Sequence, residues 1–182
     1  MHKSINTKAH LYIGTQNYNR AIRLLRNTLK KYASTTSYNT LAHTNRILGD
    51  LYSNYIQIQN RDSSVYFYKK AIEIIEKTDY DYIKPHLYIN YADVLIQSEK
   101  YKKAHYYLNL AEKIALETSS NFRLYYINVN LGVYYFDTKD FPKAIEKFQK
   151  ALQEYGAYAN GDQKALTYWL LADAYYYINQ FE

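Results

Sequence analysis

A small residue followed three positions later by a large one recurs along the chain at a nearly fixed interval. The pairs are Ala9 with Tyr12, Gly49 with Tyr52, Ala92 with Leu95, Gly132 with Tyr135 and Ala172 with Tyr175, and the small residues lie 40, 43, 40 and 40 positions apart. A second pattern follows: an aromatic residue, two polar or Pro positions, then Ala. It reads Tyr18-Asn19-Arg20-Ala21, Tyr101-Lys102-Lys103-Ala104 and Phe141-Pro142-Lys143-Ala144, with a looser copy in Ser64, Tyr68 and Ala71. Seven residues beyond Ala104 and Ala144 stand Ala111 and Ala151, with Leu108 and Phe148 between them. That spacing puts small and large residues on one helix face. In three units the first small residue precedes the Ala of the second pattern by 12 positions, and the second unit is 3 longer. The extra residues are assigned to a turn around Gln59-Asn60-Arg61-Asp62. Small residues let two antiparallel helices approach closely, and one such pair cannot bury its apolar face alone, so pairs must stack.

These spacings and residue classes resemble the tetratricopeptide repeat family over nearly the whole chain, most specifically at Leu131-Gly132, Tyr135, Ala144, Phe148 and Ala151. The chain departs from that family in its period of about 40 rather than 34, in Tyr or Asn where Trp is usual, and in lacking the Pro that closes a unit. The resemblance implies an all-α fold: a right-handed superhelix of stacked antiparallel helix pairs, with about nine helices in one array over residues 1–182. The units are 2–38, 39–82, 83–120, 121–160 and an incomplete 161–182. Expected helices cover 3–13, 18–33, 39–57, 62–78, 84–97, 101–117, 121–137, 141–155 and 162–178. Ser34-Thr35-Thr36-Ser37, Thr118-Ser119-Ser120-Asn121 and Asn160-Gly161-Asp162 read as loop and cap clusters. Pro85 and Pro142 fall at helix starts, where the missing N–H costs nothing. Only the first helix of the fifth unit is present before Gln180-Phe181-Glu182, and that helix is apolar on more than one face. The expectation is a piece of a longer polypeptide continuing past Glu182, with self-association through the last helix when the piece stands alone.

Composition narrows the function classes. With 5 Gly, 2 Pro and 48% hydrophobic residues, the chain of 182 suits a helical core rather than a turn-rich β fold or a linker. No apolar run reaches the roughly 18 residues a membrane span needs, and no charged stretch followed by an apolar one opens the sequence. The compartment stays open, with the cytoplasm favoured. The chain has no Cys, which removes disulfides and thiolate chemistry. Its five His, His2, His10, His43, His86 and His105, form no His-Glu-x-x-His motif, and no Gly-rich phosphate loop follows a strand. No catalytic, cofactor-binding or metal site is expected, and the chain reads as a non-enzyme. The 25 Tyr are the outlying number. Tyr52, Tyr68, Tyr88, Tyr135, Tyr168 and Tyr175 fall at positions where the repeat needs bulk between helices.

In the family, first helices of successive units line a concave groove that holds peptides or partner helices. Outward positions beside the small residues give Asn6 and His10, then the ligand-binding candidates Arg46, Asp50, Asn54, Asn90, Asp93, Gln97, Tyr126, Asn130, Asp137, Trp169, Asp173 and Tyr177, with Val133 among them. Side-chain amides can hold an extended backbone, and exposed aromatics serve as anchors; otherwise these are simply solvated helix positions. Four carboxylates against one Arg disfavour the acidic chaperone tail that some family members clamp. A neutral or basic protein or peptide is the expected partner. Arg20, Arg23, Arg26, Lys30 and Lys31 form a basic stripe within roughly 140° of helix surface. A solvated outer face accounts for it better than a nucleic-acid partner does. Arrays with periods near 40 in this family often precede DNA-binding or kinase domains in bacterial regulators, which suggests the sensory, scaffolding or dimerisation part of such a regulator. A stand-alone structural adaptor is the alternative, and a nucleic-acid-binding array a more distant one. The Asn, Lys, Ile and Tyr excess fits AT-rich codons and a bacterial source.

Overall fold

The computed structural model describes residues 2–34, 37–55, 57–78 and 83–181, with the backbone alone for 2–4 and 179–181. Thr35 and Thr36 of the first loop cluster, Tyr82 at a unit boundary and Glu182 at the expected chain continuation lie outside the described residues. Among the described residues the fold is all-α. The helices are α1 (His2–Gly14), α2 (Tyr18–Tyr32), α3 (Tyr38–Asn54), α4 (Arg61–Ile75), α5 (Lys84–Gln97), α6 (Tyr101–Glu117), α7 (Asn121–Asp137), α8 (Phe141–Glu154) and α9 (Gly161–Phe181), with a short 3-10 turn at Gly156–Tyr158. No described helix is long and apolar enough to cross a membrane.

The turns carry the repeat's period. Gln16, Glu99 and Lys139 each end a first helix in the left-handed region, at φ 57°, 57° and 63°. The amide after each of them closes the helix by reaching back to the large residue of the small–large pair. Asn17 N donates to Tyr12 O (2.7 Å), Lys100 N to Leu95 O (2.8 Å) and Asp140 N to Tyr135 O (2.8 Å). This is a Schellman-type stop, which satisfies carbonyls the helix end would leave unpaired. The second unit uses another solution. α3 stops at Asn54, three residues short of the expected 57, because Tyr55 is extended (φ −114°, ψ 107°). Its extra residues therefore lie between Tyr55 and Asn60, ahead of the expected position. Asn60 then caps α4 by accepting from Ser63 N at 2.8 Å. Asp140 caps α8 with Pro142 in the first turn. α9 opens with a capping box in which Gln163 N donates to Asn160 Oδ1 and Asn160 N to Gln163 Oε1, both at 2.9 Å.

Two compact units are distinguished, residues 1–87 and 88–182, with the division inside α5. In the first, Ala9, Ala21, Leu25, Ile47, Leu48, Leu51 and Phe67 form the core. Ser64, the loose copy of the second-helix Ala, is fully buried and donates to Gly49 O at 3.0 Å. A Cβ added at Gly49 would meet the Tyr68 ring at 2.9 Å. In the second unit the same arrangement is tighter: a Cβ on Gly132 would enter the space of the fully buried Phe148 ring. Ala104, Leu108, Ala111, Ala144, Phe148 and Ala151 are all fully buried, as the spacing requires.

The fifth repeat position departs from the expectation. Ala172 is exposed and Ala174 is fully buried, in one cluster with Ala144 and Phe148. The residue 40 positions before Ala174 is Tyr134, which stacks on His105 of α6, the preceding second helix, at 4.9 Å. That register faces backward along the stack, whereas the small residues at 49 and 132 face their own unit's second helix. No second helix follows α9 among the described residues, so Ala172 meets solvent. Tyr168 and Tyr175 are consequently 60% and 43% exposed, contrary to the packing role expected of them, whereas Tyr68 and Tyr88 are buried.

Candidate functional site

The candidates in the first unit are largely committed to internal bonds. Arg46 and Asp50, one turn apart on α3, form an ion pair. The other Asp50 oxygen accepts the Tyr68 hydroxyl at 2.6 Å. Arg46 Nη1 also lies 3.5 Å from His86 Nε2. Asp50 therefore ties α3 to α4 and is not a bare groove carboxylate. Asn54 is exposed at the last residue of α3.

The second unit holds a cleft of about 280 Å³ between α5, α7 and α9. Of the sequence candidates, Asn90, Asp93, Tyr126 and Asn130 line it, together with Val133. Tyr125, Val129, Gln163, Leu166, Thr167, Leu170 and Ile89 complete the lining and were not singled out from sequence. The repeat itself carried the missing signal: 40 positions beyond Tyr126 and Asn130 are Leu166 and Leu170, the same helix faces one unit on.

Hydrogen bonds fix the cleft's walls. Gln163, already in the α9 capping box, donates through Nε2 to the Tyr126 hydroxyl. The Tyr125 hydroxyl, on a fully buried ring, donates to Gln163 O at 2.9 Å and lies 2.7 Å from Thr167 Oγ1. These contacts lock α7 to α9. Tyr126 packs edge-on against Phe122 and Tyr125, with centroids 5.0 and 5.5 Å apart. Asn130 spends its amide donor on Tyr126 O at 2.9 Å. Asp93 accepts one bond, from Gln97 Nε2 at 3.0 Å. Burial pushes its carboxyl above the usual 3.8, against the lowering effect of that bond. No Lys or Arg stands among the described lining residues. What the cleft offers is an apolar floor, one carboxylate and several fixed hydroxyl and amide groups.

The remaining candidates lie off the cleft. Gln97 touches it only through Asp93. Asp137 is exposed at the end of α7, and Asp173 is part-buried on α9. Tyr177 stacks on Phe141 at 5.7 Å and meets Phe136 edge-on at 5.5 Å, so its ring closes the α7–α8 end. Trp169 is 59% exposed on α9 and does not line the cleft. The basic residues of α2 are exposed, with Arg26 bonded to the Tyr52 hydroxyl at 3.1 Å.

Residues 123–182 match the sequence pattern of the tetratricopeptide repeat family. A search of curated proteins finds no match. Among solved structures, the chain is similar to the crystal structure of BtubC (BKLC) from P. vanneervenii, with a TM-score of 0.80 and 20% sequence identity, over 98% of this chain and 73% of that one. At that identity the likeness speaks for the fold alone. Repeats of this kind generally mediate protein–protein interaction and are typically non-enzymatic. Residues 123–182 are thus similar to tetratricopeptide repeats in sequence, and helix pairs of the same kind stand in both units.

Proposed function

We propose that the chain is a protein-interaction module that takes a peptide or partner segment in the α5–α7–α9 cleft, as the sensory, scaffolding or dimerisation part of a larger bacterial regulator, either a transcriptional regulator or a sensor kinase. The reading of residues 1–182 as one array belongs to this proposal. The observation that carries it is the cleft: positions 40 residues apart on successive first helices converge on one apolar-floored surface with anchored polar groups. Preformed concave sites of this composition are where ligands bind. A photo-crosslinking residue at Val133, compared with one at the exposed Lys113 of α6, tests it in cells. Adducts to a defined protein at 133 and not at 113 are expected; identical adducts at both positions contradict it.

A second reading, a structural adaptor that assembles copies or partners, draws on α9. Leu166, Tyr168, Trp169 and Tyr176 are each more than half exposed there, and Tyr175 is 43% exposed. An apolar helix face of that kind favours self-association.

A further inference from the structure

We infer that the cleft's ligand carries a guanidinium, and that Asp93 is its counter-ion. This rests on the groove reading above and names the chemistry of its ligand.

Asp93 is part-buried in a cleft whose other walls are mostly apolar, and among the described residues its hydrogen-bond partner is the neutral Gln97 amide. An ionised carboxylate offers about four acceptor positions, and burying such a charge without a counter-charge is costly. The acid that follows the small residue one repeat earlier shows the contrast: Asp50 on α3 has both an arginine and a tyrosine hydroxyl. In the cleft a cation from outside would recover the solvation energy that Asp93 has lost. Arginine suits the surroundings better than lysine does. Its planar fork can take both carboxylate oxygens, and its face can lie on a ring such as Tyr126, which Gln163 holds in place. Val129, Val133 and Leu170 then receive apolar side chains flanking the arginine.

The test uses acetyl-Leu-Arg-Leu-amide and its neutral isostere with citrulline in place of arginine, titrated into the 182-residue chain and followed by amide shifts. Wild type is expected to bind the arginine peptide at least tenfold more tightly than the citrulline peptide. In Asp93→Asn, an isosteric change whose folding is checked by circular dichroism, the two peptides should bind alike. Val133→Gln should weaken both. Equal binding of the two peptides to wild type, still weakened by Val133→Gln, overturns the counter-ion assignment and leaves the groove reading standing. Binding indifferent to both substitutions overturns both. Absence of arginine-peptide binding up to about 10 mM, where even the weakest specific sites register, overturns the counter-ion assignment.

Discussion

At the residue scale, two kinds of position decide the behaviour of the chain. Gly132 is small because Phe148 occupies the space a methyl group would need, and Phe148 has no exposed surface through which to retreat. Gly132→Ala is therefore expected to destabilise by about 2 kcal/mol through overpacking, despite the better helix propensity of Ala. Phe148→Ala should cost more, about 4 kcal/mol, by opening a cavity. Chemical denaturation of both variants checks the order. Asp93 behaves in the opposite way. Its carboxyl is raised above 3.8 by burial, so the folded chain binds that proton more tightly than the unfolded one. The group's stabilising contribution is full below about 3.8 and is lost as pH rises through the folded value. Asp93→Asn should therefore melt at a higher temperature than wild type at pH 7, with the difference shrinking in acid. A neutral-pH loss of stability in Asp93→Asn would contradict the desolvation argument. A residue that costs stability where it stands fits a role in binding.

At the element scale, helix ends set the period. Lys139 holds φ 63°, a conformation that costs a side chain roughly 1 kcal/mol. Lys139→Gly should raise the unfolding free energy by up to about 1 kcal/mol, read as a higher urea midpoint at unchanged slope. Asp140→Ala should lower it by about 1 kcal/mol, because Asp140 accepts from Lys143 N at 3.4 Å and from Lys143 Nζ at 2.7 Å. Helix existence and most helix ends were readable from the small-residue spacing and the turn clusters, since these follow local steric rules. The end of α3 was not, because an unchanged apolar pattern ran through Tyr55, and only the extended backbone there stops the helix. The burial of Ala174 was also hidden. The repeat marks Ala172 as the small residue of the fifth unit, and the spacing does not show the backward-facing register in which Ala174 packs against Ala144 and Phe148.

At the scale of the whole molecule, the candidate site was half legible. Positions next to the small residues found Asn90, Asp93, Tyr126 and Asn130. The apolar floor escaped because Leu166 and Leu170 belong to a last helix that reads as apolar on more than one face, which does not say which face meets α7; the Tyr177 ring lies off the cleft, against Phe136 and Phe141. The exposed face of α9 has its own consequence: Trp169→Lys with Tyr176→Lys should reduce concentration-dependent self-association in sedimentation velocity without unfolding the chain, since both side chains are 59% exposed. The central claim is that partners enter along the first helices. Amide-shift mapping with the partner recovered by crosslinking at Val133 tests it most directly. The account predicts perturbations centred on Asn90, Asp93, Tyr126, Asn130 and Leu170. Perturbations centred on the outer surface of α6 and α8, around Lys103, Lys113 and Glu146, would contradict it.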